Sequence, residues 1–328
     1  MSDPLLRIDQ LRVRFETTDG SVDAVRGVSL ELRGRERLGL VGESGCGKST
    51  IVLALLGLLP ANATVSGRVL VDGDDILARG EASIRPYRWT SIAVVPQAAM
   101  NALNPVKTIG RQLAETMELH GIGDRAERRR RSGELLDRVG IPSGRLNSYP
   151  HQLSGGMRQR VAVALALSCG PRILLADEPT TALDVIAQAQ VIDLIGTLAQ
   201  DMKLAFMLIT HDLALVSNTC ERLAVMYAGE IVEVGEMRQV LEQPAHPYSE
   251  RLFAATPSLD DGRELSSIPG TPPRLDQKLE GCSFAPRCAR SFEPCSRLHP
   301  ELIQINRGHV AACHLNDRAL VGSLEQHD

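Results

Sequence analysis

Apolar and polar residues alternate with a period of two over Leu5–Phe15 and Val28–Leu32, the pattern of strands with one buried and one wet face. Arg37–Val41, Ser91–Val95, Ile173–Ala176 and Leu204–Ile209 are instead short apolar runs, as in parallel strands buried on both faces. Helix-like segments separate these runs, and the first is predicted over Lys48–Leu59. This alternation predicts an α/β domain built on a parallel sheet. Two stretches depart from it. Residues 98–165 read as helical only and predict an inserted helical subdomain. Beyond residue 235, prolines from Pro244 to Pro300 are expected to break any long helix. Residues 236–328 therefore read as a C-terminal extension with little core of its own, appended to a domain over 1–235.

Composition narrows the class. With 43% hydrophobic and 23% charged residues, the 328-residue chain is globular. Its longest apolar stretches, Ile51–Leu59 and Val161–Leu167, fall short of the ~18–20 residues that span a bilayer. The first ten residues lack an apolar signal-peptide core. A cytosolic protein, or one peripheral to a membrane, is expected. A net charge of −4 argues against a nucleic-acid partner.

The chemistry starts at Gly42-Glu43-Ser44-Gly45-Cys46-Gly47-Lys48-Ser49, which Thr50 follows. This matches G-x-x-x-x-G-K-[ST] between a predicted strand and a predicted helix. Glycines let backbone N–H groups close on phosphate oxygens, and the helix N-terminus adds its dipole. Lys48 can reach the β- and γ-phosphates, and the Ser49 hydroxyl can ligate Mg²⁺. Downstream, the apolar run from Ile173 ends in Asp177-Glu178, acids at the C-terminal end of a strand, where α/β sheets bind ligands. Asp177 would hold Mg²⁺, and Glu178 would act on the attacking water as general base. At Leu153-Ser154-Gly155-Gly156-Met157-Arg158-Gln159-Arg160, Ser154 is a good N-cap for a helix through Leu167, and the glycines leave N–H groups open at its positive end. That is a second phosphate-binding element, which one nucleotide in one chain does not need. It points to a second subunit.

On these motifs the chain resembles ATP-binding-cassette ATPases over residues 1 to about 235. Phe15 matches the aromatic that stacks on adenine, Gln97 in Val-Val-Pro-Gln the Q-loop, Asp184 the D-loop, and His211 in Ile-Thr-His-Asp the switch histidine. The resemblance implies a P-loop NTPase fold: a RecA-like parallel sheet core, an antiparallel β subdomain and an inserted helical subdomain. It also implies that Gln97 touches Mg²⁺ or the water, that His211 contacts the γ-phosphate and orients Glu178, and that Asp184 communicates across a dimer. Two ATP molecules would be sandwiched between P-loops and opposite signatures.

The extension carries Gln243-Pro-Ala-His246-Pro247-Tyr248 and Ile268-Pro-Gly270-Thr-Pro-Pro273. Both resemble the C-terminal region of ATP-binding subunits of bacterial di- and oligopeptide importers, a group that also takes up nickel and other small solutes. The implied partners are a second ATPase subunit, identical or a paralogue, two transmembrane permeases contacted around Met100–Thr108, and an extracytoplasmic solute-binding protein. The implied location is the cytoplasmic face of the membrane. Cys282, Cys288, Cys295 and Cys313 are spaced by five, six and seventeen residues, unlike the C-x₂-C of ordinary zinc sites. A core-poor segment with four thiols suggests a metal staple. Some relatives hold a [4Fe–4S] cluster in a segment resembling this one, and zinc or plain reduced thiols are the alternatives. A non-transport or redox-sensing cassette is the competing reading of the whole chain. Only 111 residues separate Gly42 from Ser154, too few for the inserts of repair cassettes.

Overall fold

A computed structural model describes residues 3–18, 20–180, 184–255, 268–277 and 279–317. They fall into two compact units, each assembled from distant stretches of chain. The first comprises Met1–Leu6, Leu32–Arg37 and Val71–Ile209, the second Arg7–Glu31, Leu38–Leu70 and Thr210–Asp328. Residues beyond 235 therefore share a unit with N-terminal strands rather than standing alone.

In the first unit, Ile92–Val95, Ile173–Asp177 and Ala205–Ile209 pair in parallel, Ile92 opposite Ile173 and Ile173 opposite Ala205. Every residue of the last two strands is buried, which explains their unbroken apolar runs. No strand occurs among the described residues between Val95 and Ile173. Three helices lie there instead, Ile109–Leu119, Arg125–Arg138 and Gly155–Leu167, and they pack on one another. Each starts at a capping side chain: Thr108 accepts from the Arg111 amide, Asp124 from Glu127 and Ser154 from Met157. Asn104 makes the turn into this region, its Oδ1 accepting from the Val106 amide at 3.0 Å.

In the second unit, Arg37–Val41 pairs in parallel with Arg222–Tyr227. Glu230–Glu236 then returns antiparallel to Arg222–Tyr227. Leu6–Thr17, Gly20–Leu32 and Ala63–Val71 form the period-two sheet. In its first strand Leu6 and Ile8 are buried, then Leu11 and Val13. The phase slips by one residue at Gln10, whose φ is +50°. Gly67 passes so close that a Cβ there would lie 2.4 Å from the Gln10 carbonyl oxygen.

Two expectations need correction. The P-loop helix spans Lys48–Leu55, not Lys48–Leu59, because Gly57 turns left-handed at φ +60° and the Leu58 amide closes back on the Leu53 carbonyl. Beyond residue 235 the described α-helices are short, as the prolines led us to expect, and Pro247 opens one of them, Pro247–Ala254, at a first-turn position where no amide hydrogen bond is lost. The extension also has a core. Tyr248 and Phe284 are fully buried against Tyr227, with ring centroids 4.5–5.4 Å apart. Ile303–Asn306 and His309–Ala311 form a hairpin that pairs onto Glu230–Glu236, Glu233 opposite Ala311. Glu233 is wholly buried, yet its carboxylate accepts from the Ala245 amide at 2.7 Å, the His246 amide at 3.0 Å and His309 Nε2 at 2.7 Å. Three donors offset the desolvation of that charge.

Candidate active site

The second unit carries the P-loop. Gly42, Gly45 and Gly47 have φ of +158°, +78° and +107°. A Cβ on Gly42 would lie 2.1 Å from the Met226 carbonyl oxygen, and one on Gly47 2.3 Å from that of Ala24. Close backbone approach, as much as φ, makes these positions glycine. Lys48 is buried, its Nζ donating to the carbonyls of Gly42 at 2.8 Å and Glu43 at 2.9 Å. Ser44 and Gly45 are exposed, while Ser49 and Thr50 are half-buried at the start of the helix. Cys46 is buried, and burial pushes its thiol up against the pull of nearby Lys48. Phe15 is half-buried near the end of its strand. Exposed His211 sits just before Asp212, which caps the Leu213–Thr219 helix.

The first unit carries the acids. Asp177 is buried at the end of its strand, and Glu178 follows half-buried. The Glu178 backbone is left-handed at φ +43°, held there by its amide donating to the Ile209 carbonyl at 2.8 Å. An unbranched acid in this conformation stores strain, a feature that clusters at active sites. Gln97 Nε2 donates to Glu178 Oε2 at 3.2 Å, so the structure brings these two predicted residues together. Ser154, exposed, and the half-buried Gly155 and Gly156 open the Gly155–Leu167 helix. Gln159, one turn into that helix, is buried and donates to the Pro179 carbonyl, linking the signature to the acidic strand end. Asp184, exposed, caps Val185–Asp201, its Oδ1 accepting from the Ala187 amide at 2.8 Å. Its predecessors Ala182 and Leu183 lie outside the described residues.

Two further residues reach the P-loop that sequence reasoning did not assign to it. Arg287 grips the Glu43 carboxylate with both arms, Nη1 to Oε2 at 2.9 Å and Nη2 to Oε1 at 3.0 Å. Tyr248 Oη accepts from the Glu43 amide at 2.9 Å. Tyr248 was visible only as part of a family-like string, and nothing in the local sequence marks Arg287.

Two segments of the chain match known families. Residues 25–181 match the family described as "ABC transporter", and residues 232–295 match "Oligopeptide/dipeptide transporter, C-terminal region". The chain is 44% identical over 315 residues to the oligopeptide transport ATP-binding protein OppD of Escherichia coli, covering 95% of this chain and 93% of that protein. The chain belongs to the ABC transporter ATP-binding subunits. It is 45% identical over 318 residues to the probable peptide ABC transporter ATP-binding protein y4tR of Sinorhizobium fredii, covering 95% of each. Among solved structures, the ATP-binding cassette MJ0796, seen as a dimer bound to ADP and Pi, superposes with a TM-score of 0.63 at 28% identity. It covers 71% of this chain and 99% of that one. The fold is thus that of an ABC cassette, and the chain is an ATPase of that family.

The four extension cysteines are free and line one small cavity, together with Phe284, His246 and His314. Burial pushes the Cys282 thiol up to about 12 and Cys313 to about 11, and raises Cys288. Among the described residues, no group of three or more His, Cys, Asp or Glu side chains is arranged to hold a metal ion. No described helix is long and apolar enough to cross a membrane.

Proposed function

We propose that this chain is the ATP-hydrolysing subunit of a peptide importer, acting at the cytoplasmic face of the membrane. The observation that carries the reading is resemblance along nearly the whole chain, extension included, to oligopeptide transport ATP-binding proteins. The substrate is MgATP. Partners are a second cassette, two permeases docking near Met100–Thr108 and an extracytoplasmic solute-binding protein. Residues 1–235 form the nucleotide-binding domain and 236–328 the importer-type extension.

The residues divide the work. Phe15 offers a ring face to adenine. Gly42–Thr50 and Lys48 cradle and neutralise the phosphates. Mg²⁺ would be held by Ser49, Asp177 and Gln97, hard donors suited to it, and would supply further charge neutralisation. Glu178 takes a proton from the attacking water, and His211 orients it. Ser154, Gly155, Gly156 and Asp184 serve the nucleotide of the partner cassette, where capped helix N-termini favour anionic ligands. The test is reconstitution with the permeases in vesicles. Peptide-dependent ATP hydrolysis supports the reading; hydrolysis stimulated by nickel but not by peptide would replace the substrate.

A finer proposal concerns the thiol cavity. Cys282, Cys288, Cys295 and Cys313 would hold a [4Fe–4S] cluster. The reading rests on four cysteines that line one cavity beside Phe284 and Pro247, four thiolates being the usual ligand set of such a cluster. Such a cluster would supply a one-electron redox centre. Anaerobic purification with iron, sulfide and zinc analysis decides. About four irons and four sulfides per chain support the cluster; a metal-free protein shows plain thiols.

A further inference from the structure

We propose that Arg287 is a positioning residue of the nucleotide cradle, neutralising and holding the Glu43 carboxylate so that the P-loop can accept polyphosphate. The inference rests on the reading of Gly42–Ser49 as the MgATP site.

Glu43 is an awkward residue at that place. An anion-binding loop works by presenting N–H groups and a cation to phosphate, and a carboxylate within it repels the same charge. All three polar parts of Glu43 are taken up. Its carbonyl accepts from Lys48 Nζ, its amide donates to Tyr248 Oη, and its carboxylate meets both arms of Arg287. The Arg287 side chain is 5% exposed and that of Glu43 21%. A forked guanidinium–carboxylate pair fixes direction as well as charge, which a lysine would not.

Arg287 is itself held rigidly. Its guanidinium carbon lies 5.8 Å from the Tyr227 ring centroid and 6.0 Å from that of Phe284. Nη1 also donates to Tyr227 Oη at 3.2 Å, and Nε to the Pro269 carbonyl at 2.9 Å. Glu43 further holds the guanidinium in its charged form, shifting its pKa upward. The residue sits in the short turn Ala285–Arg287, directly before Cys288. The extension thereby supplies a cation to the loop from 244 residues away.

The test is MgATP binding to the full-length chain by calorimetry, with variants Arg287→Met, Glu43→Gln and the pair. Methionine keeps the stem's packing on Tyr227 and removes the charge. The expected result is that Arg287→Met alone weakens MgATP binding at least tenfold at low salt. The loss shrinks as salt screens the bared carboxylate, and adding Glu43→Gln recovers most of it. Wild-type affinity in Arg287→Met would overturn the proposal. So would a double variant no tighter than Arg287→Met, which would make Arg287 a packing residue only. Should Arg287→Met not fold by circular dichroism, Arg287→Lys and Arg287→Gln decide. Lys, which keeps the charge but not the fork, binds more weakly than wild type and more tightly than Gln; equal affinities of Lys and Gln overturn the proposal. A wild-type chain that binds no MgATP would instead sink the P-loop reading itself.

Discussion

Around Gly42–Ser49 support arrives from far along the chain, whereas at Glu178 the backbone itself is strained. The Met226 and Ala24 backbones crowd the P-loop glycines, Gly229 donates to the Cys46 carbonyl at 3.0 Å, and Tyr248 and Arg287 hold Glu43. Glu178, by contrast, has a left-handed backbone and a 3.2 Å hydrogen bond from exposed Gln97. The phosphate cradle is preorganised, as electrostatic stabilisation requires.

The sharpest way to break this contrast is Glu178→Gln. Hydrolysis in the assembled transporter should fall by about 10²–10⁴-fold while MgATP binding persists. Single-turnover phosphate release beside equilibrium binding checks both; lost binding would mean that the two regions are not separable. Gly47→Ala comes next. Its Cβ would meet the Ala24 carbonyl oxygen at 2.3 Å with φ at +107°, so unfolding in urea should show a loss of roughly 2–4 kcal/mol.

These two cases also mark what the sequence made legible. The P-loop, the acids and the capped signature are short strings whose spacing is fixed by local geometry, and the strands around them read directly from apolar runs. The Lys48 helix was read too long because the apolar run through Leu59 hides the left-handed turn at Gly57. Proline content disguised the aromatic core of Tyr227, Tyr248 and Phe284, whose members lie tens of residues apart. Arg287 could not be read at all, since a lone arginine in a loop has no period or motif to betray its partner.

Smaller effects sharpen the comparison. Tyr248→Phe leaves the Glu43 amide without its acceptor and should lower stability by about 1–2 kcal/mol, measured by urea denaturation. Glu178→Gly should do the opposite. Relief of the φ +43° backbone should raise stability by roughly 1 kcal/mol, read as a higher melting temperature, while hydrolysis is abolished. A glycine variant no more stable than wild type would show that the strand end is not strained.

The Glu43–Arg287 pair also orders events in time. A nascent chain that has just emerged through Lys48 still lacks Arg287, which follows Glu43 by 244 residues. At ~5–20 residues per second the ribosome needs roughly 10–50 s to supply it. The loop meant for ATP spends that interval with a bare carboxylate in its throat. Truncated products, which never reach Arg287, keep that defect, so the last third of the chain acts as a completion stamp on the first.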